Sequence, residues 1–259
     1  MIYAFKRSRI ASALVFAASV LVTVLIWVRD REYPVYIPLI ASVLMLAIGC
    51  LAARLLGNVL ASMENTRYLG YLHMELDPKK FLEYYREVPG RMKGHSAAVA
   101  KTYLADGYWA DGQFEKAVET VGPSLPETDP ALRGLYATKL AAYFLAMENT
   151  EEAAKVVAVL EEVIDGCRLK KPDLARNFQE SLTLYRQQEN CLTGETVDTS
   201  WLEDAFASAQ YNIRRLEIQK VLAMTALRDG NRKEKEKALS YLRKNGGKTD
   251  FKRWADRKG

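Results

Sequence analysis

Two uncharged apolar stretches, separated by one short loop, constrain this chain more than any other feature. Ile10–Val28 reads IASALVFAASVLVTVLIWV and Ile37–Ala53 reads IPLIASVLMLAIGCLAA, with only RDREYPVY between them. A helix crosses a bilayer with roughly 17–25 predominantly apolar residues, at about 1.5 Å rise each. Both stretches meet that length, the second narrowly. A helix satisfies its backbone polar groups internally and so tolerates hydrocarbon. Trp27, Tyr33 and Tyr36 cluster at the shared end of the two stretches, where interfacial aromatics belong. A cleaved signal peptide has a shorter apolar run and no second run directly behind it. A buried core helix would carry polar positions. The expectation is a transmembrane hairpin over residues 10–56, with spans at 10–28 and 36–56.

Short-flank Lys and Arg set the orientation of such a hairpin. Lys6, Arg7 and Arg9 precede the first span, and Arg54, Arg67, Lys79 and Lys80 follow the second. The loop carries Arg29 and Arg31 beside Asp30 and Glu32. The bias places both termini in the cytosol of a two-span cell-membrane protein. Residues 1–9 are then a basic cytosolic N-terminus, 57–76 a juxtamembrane helix, and 77–259 a cytosolic body large enough for one well-buried domain. From Arg228 onward the chain holds twelve Lys and Arg against five Asp and Glu. Such a basic end can rest on anionic lipid or nucleic acid, although Lys233–Lys237 alternates in sign like a solvated helix face. Cys50, Cys167 and Cys191 form no CxxC pair, an odd and scattered set that suits a reducing compartment.

Past the spans, apolar residues recur at three- and four-residue spacing and strand signals are nearly absent. Asp77-Pro78 reads as an N-cap with proline at the first helical position. Pro89-Gly90, Gly122-Pro123 through Asp129-Pro130, and Lys171-Pro172-Asp173 mark further boundaries. Tyr68–Glu83 reads as a helix near the membrane. Gly194–Ser200 reads as a loop capped by Thr199 or Ser200, and Gly246-Gly247 ends a helix. The fold class expected is all-α.

Ala97–Val121 reads AAVAKTYLADGYWADGQFEKAVETV. It resembles a tetratricopeptide (TPR) hairpin through Leu104, Ala105, Tyr108, Gly112 and Ala117. Leu104 and Tyr108 lie one turn apart to pack on the second helix, Gly112 permits the tight turn, and the alanines allow close approach. Leu135–Val163 repeats the pattern with Leu140, Ala141, Phe144 and Ala153, with Glu148 in place of the turn glycine. A looser third unit surrounds Leu222, Ala223, Gly230 and Ala238, and its turn reads as longer. The resemblance implies an α-solenoid of helical hairpins. The layout is also similar to bacterial membrane proteins of unknown function with a TPR-like cytosolic body.

Candidate chemistry is sparse. His73 and His95 lie in no HExxH or other metal-ligand spacing, and there is no phosphate-binding glycine loop, GxGxxG or GxSxG. Asp106 and Asp111 flank a turn that the repeat reading explains without catalysis. Cys167 has no identifiable base. The chain therefore reads as a non-enzyme without cofactor or metal.

Stacked helical hairpins act by offering a concave surface. In the TPR family the first helix of each hairpin lines it, which implies Thr102, Asp106, Trp109 and Thr138 as the candidate groove. Trp109 is either a hot spot for a partner or packing between hairpins. The function expected is a membrane-anchored scaffold or adaptor that binds a protein partner at the cytosolic face. Two alternatives stand beside it. The spans could act inside a membrane complex through Ser12, Ser19, Thr23, Ser42 and Gly49, or the basic tail could contact anionic lipid or nucleic acid. No nucleic-acid module accompanies the tail, so nucleic acid is not an expected partner.

Overall fold

The computed structural model describes residues 5–29 and 32–259; Asp30 and Arg31, part of the charge reading of the loop, lie outside them, as do residues 1–4. Among the described residues the chain is all-helical and has no strand. Helix α1 (Lys6–Arg29) runs antiparallel to α2 (Tyr36–His73). Their seam is built from small residues. Ser42, Gly49, Ala53, Gly57 and Ala61 are buried along the part of α2 that faces α1. A Cβ on Gly49 would lie 2.0 Å from Ser19 Oγ, so only glycine permits this approach. Ser12 Oγ donates to the Ala53 carbonyl at 3.0 Å across the seam. The Ser19, Thr23 and Ser42 hydroxyls donate to carbonyls of their own helix, 2.7–2.9 Å away, which satisfies them in an apolar setting. The apolar side chains face outward: 6% of the apolar window of α1 and 17% of that of α2 is buried. These are two helices long and apolar enough to cross a membrane, with the exposure that a core helix lacks.

Helix α2 is 38 residues long, or about 57 Å at 1.5 Å per residue. The helix runs without a break through residue 56, where the expected span gives way to the expected juxtamembrane helix. Gly57 is buried in the seam, and after Pro38 no proline interrupts the helix until Pro78. The helix expected over Tyr68–Glu83 is split. Its first part belongs to α2, the chain turns through Leu76 (φ 54), and α3 (Pro78–Tyr85) follows. Asp77 caps α3 by accepting from the Lys80 N–H at 3.1 Å.

The body continues with α4 (Gly94–Ala110), α5 (Phe114–Val121), α6 (Pro130–Ala146), α7 (Thr150–Cys167), α8 (Pro172–Thr193), α9 (Thr199–Ser208), α10 (Asn212–Arg228), α11 (Arg232–Asn245) and α12 (Asp250–Lys258). The α4/α5, α6/α7 and α10/α11 turns share one geometry. Gly112 (φ 76), Glu148 (φ 58) and Gly230 (φ 69) hold the same left-handed position. The next N–H in each bonds five residues back: Gln113 to Tyr108, Asn149 to Phe144, Asn231 to Ala226, at 2.8–2.9 Å. The third turn is therefore no longer than the others, and Lys235, not Ala238, corresponds to Ala117 and Ala153. Ala105, Ala117, Ala141 and Ala153 are fully buried where the paired backbones approach. Asp198, rather than Thr199 or Ser200, caps α9 by accepting from the Trp201 N–H.

The basic C-terminal end is packed structure. Phe251, Trp254 and Ala255 of α12 are buried. Lys237, Arg243, Lys248, Arg253 and Arg257 each pair with a carboxylate. This end folds back on the start of the body. The Lys248 N–H donates to the Leu76 carbonyl at 2.9 Å, and Arg253 Nη2 donates to the Asp111 carbonyl at 2.6 Å. Asn212 Nδ2 reaches the Met74 carbonyl at 3.3 Å. These contacts close the array of hairpins into a ring in which α10 meets α2 and α12 meets α4.

Candidate functional site

Ring closure turns the concave face into a cavity of about 720 Å³. Its wall comes from α2, α4, α6, α8 and α10. The residues implied for the groove divide. Asp106, Trp109 and Thr138 line this cavity. Thr102 does not; it is buried, and its hydroxyl donates to the Val99 carbonyl at 2.8 Å. Trp109 is 8% exposed. Its ring lies edge-on to Phe251, 5.2 Å between centroids, and 6.2 Å from Tyr143. Trp109 therefore packs between the ring's two ends while one side of it lines the cavity.

Asp106 is the polar centre of the wall. Lys139 Nζ sits 2.7 Å from Oδ2 and the Tyr143 hydroxyl donates to Oδ1 at 2.8 Å. Burial would lower the Lys139 pKa, but attraction and hydrogen bonding from Asp106 outweigh it and the ammonium is held above its ordinary value. Burial, reinforced by the adjacent carboxylate, pushes the Tyr143 phenol well up. A second pair, Arg214 Nη1 to Glu217 Oε2 at 3.2 Å, stands on α10. Burial alone would lower Arg214, yet Glu217 and Tyr185 raise it. Each buried charge on the wall thus meets its opposite, the condition under which such groups are tolerated.

His73, on the last turn of α2, also faces the cavity, with its ring 5.9 Å from that of Tyr211 and 6.4 Å from that of Tyr103. Burial lowers its pKa despite Asp106. Burial thus favours the neutral imidazole, and its buried Nδ1 has no hydrogen-bond partner among the described residues. Half-buried Lys220 shares a smaller pocket with Trp109, its ammonium 5.5 Å over the Trp254 ring. Burial pulls its pKa below the ordinary lysine value, against the pull of Asp250.

Both carboxylate oxygens of Asp106 are engaged, which suits a fixed clamp better than a proton acceptor. Asp111 faces α12, where Arg253 lies 3.7 Å away, and does not share a site with Asp106. No cluster of His, Cys, Asp or Glu among the described residues could hold a metal ion. Cys167 and Cys191 are buried, and burial raises the Cys191 thiol. Cys50 lies exposed on the apolar face of α2 and His95 at the surface.

Sequence reasoning missed Lys139, Tyr143, Tyr185, Arg214 and Glu217. Lys139 and Tyr143 lie one turn apart on α6, a spacing that was legible. Arg214 and Glu217 lie at the start of the first helix of the third unit, outside the part of that unit the repeat pattern covered. Compared with family models, curated proteins and solved structures, the chain finds no match in any of the three.

Proposed function

We propose that the chain is a membrane-anchored, TPR-like scaffold or adaptor. Its α1/α2 hairpin crosses the bilayer, both termini are cytosolic, and its body recognises a segment of a protein partner at the cavity. The observation that carries this reading is α2, one unbroken helix whose first half is apolar and exposed and whose last two turns are cavity wall. An anchor fused rigidly to a recognition surface holds that surface at a set height and raises its effective concentration for other membrane components.

The antiparallel register supports the orientation. It sets the start of α1, with Lys6, Arg7 and Arg9, alongside the second half of α2, Arg7 lying 3.9 Å from Glu64 and Phe5 5.8 Å from Tyr68. Arg54 is exposed near the level of Ser12, about a turn from that basic end, within snorkelling reach of the interface. Exposed apolar side chains continue past it to Val59 and Met63. The small residues that would serve lateral assembly are used between α1 and α2 themselves, which favours anchoring over assembly through the spans.

The test uses the full chain in native membranes with a photoreactive residue at the exposed rim position Tyr211. One stoichiometric protein should be crosslinked, lost when Ala142→Trp fills the cavity, and retained when both spans are replaced by unrelated apolar helices. Crosslinking no higher than background, or crosslinking that depends on the identity of the spans, would overturn the proposal. Release of the intact chain by carbonate would remove the anchor.

A further inference from the structure

One face of α2 joins the apolar hairpin to the cavity. Leu44, Ile48, Leu51, Leu55, Val59 and Met63 are each more than half exposed. They follow at three- and four-residue spacing, which keeps them on one side of a helix. The same row continues into Thr66, Gly70 and His73, which line the cavity. The seam with α1 lies on the opposite side, through Gly49, Ala53 and Gly57. Nothing stands within 4 Å of the place a Cβ would occupy on Gly70, so the row is open there. An apolar track thus leads along a single helix from the hairpin into an aromatic-lined chamber.

The chamber's chemistry selects what could use that track. Its size falls in the range of small-ligand sites, about 300–1,000 Å³. Tyr103, Trp109, Tyr185, Tyr211 and Ile213 give it apolar surface. Asp106 is matched by Lys139 and Glu217 by Arg214, while Glu180, the remaining charged residue of the lining, is exposed to solvent at the rim. A ligand bringing a net charge into that balance would leave the charge unpaired. Hydroxyls on the same wall, from Thr66, Ser181 and Tyr103, suit an uncharged polar head.

We propose that the cavity binds a neutral single-chain amphiphile, a long acyl or alkyl chain with a hydroxyl or ester head, that reaches it from the bilayer along this face of α2. The proposal rests on α1 and α2 lying in lipid, and it deepens the reading of the cavity as the recognition site: the amphiphile and a partner segment exclude one another there.

The probe is a monoacylglycerol carrying a diazirine in its chain, with the full-length protein in phosphatidylcholine nanodiscs and labelled residues mapped by mass spectrometry. Label is expected both on the span face, at Leu44 and Ile48, and on the cavity wall, at Tyr103, Tyr185 or Ile213. Thr66→Trp and Gly70→Trp, two independent blocks of the track at open positions, should each abolish wall label and leave span label and helical circular dichroism unchanged. An alkyl sulfonate probe, ionised at any working pH, should label the span but not the wall. Span label without wall label overturns the inference while the membrane reading stands. Wall label that survives both tryptophans in folded protein overturns the route, and equal wall labelling by the ionised probe overturns the neutral class. Absence of span label defeats the membrane reading, and the amphiphile with it.

Discussion

Lys248 Nζ lies 2.5 Å from Asp77 Oδ2, across 171 residues of chain. This pair joins the loop before α12 to the cap of α3 and so closes the ring. Asp77 is 8% exposed, and its carboxylate also accepts from the Lys80 N–H. The Lys248 side chain is 70% accessible, so its charge alone contributes little. Replacing Lys248 with alanine should therefore cost under about 1 kcal/mol. Asp77→Ala should cost about 1–2 kcal/mol, because the helix cap is lost as well. Urea denaturation of the two variants checks the ranking.

The same carboxylate sets an acid limit. Burial would raise its pKa, but Lys248 and the Lys80 N–H together hold it below the ordinary value of 3.8. A group depressed in the folded state contributes stability above its unfolded pKa and loses it as pH falls through the folded one. Its contribution is thus constant near pH 7 and disappears below about pH 4. Denaturation midpoints of the parent chain and Lys248→Ala should differ at pH 6 and converge toward pH 3.

Asp106 is the clearest point of vulnerability in the body. Asp106→Ala strands the Lys139 ammonium on the cavity wall, and such losses cost about 3–5 kcal/mol. Removing both charges with Asp106→Ala and Lys139→Met should recover a large part of that loss. Thermal unfolding of the single and double variants, read as a double-mutant cycle, measures the coupling.

At the α6/α7 turn, Glu148 holds a left-handed conformation that glycine adopts in the two equivalent turns. Glu148→Gly should stabilise the body by about 0.5–1 kcal/mol, and Gly230→Ala should destabilise it by at least as much. Chemical denaturation of each variant gives the sign.

The hairpin seam can be opened at one atom. Gly49→Val would drive a branched side chain into Ser19 Oγ. A disulfide engineered between Ser12→Cys and Ala53→Cys, whose parent residues share a hydrogen bond, should form readily in the parent background. It should fail in Gly49→Val, as a cysteine-specific shift on non-reducing gels would show.

What the sequence made legible was local. The apolar stretches, the Asp77-Pro78 cap, the boundary at Asp129-Pro130 and the start at Lys171-Pro172 each depend on residues within a turn or two. Even the turn at Glu148 could be placed, because flanking Phe144 and Ala153 held the register where the glycine was missing. The continuity of α2 was missed because the composition changes at Arg54 while the backbone has no reason to break. Ring closure was hidden for another reason. It depends largely on the carbonyls of Met74, Leu76 and Asp111, joined by the Asp77–Lys248 pair across 171 residues that no local pattern bridges. Any residue offers a carbonyl, so no side-chain pattern announces it. The cavity inherits that opacity: Asp106 and Trp109 were picked out, but their partners Lys139 and Phe251 come from distant segments.

Depth measurement along α2 tests the account most directly. Spin labels placed singly at Leu44, Ile48, Leu51, Leu55, Val59, Met63 and Thr66 of the full chain in liposomes would report access to oxygen, which concentrates in hydrocarbon, and to a water-soluble nickel chelate. Oxygen access should dominate from Leu44 to Leu55 and give way to the chelate by Thr66, one crossover on one continuous helix. Uniform access to the chelate along the whole row would contradict it.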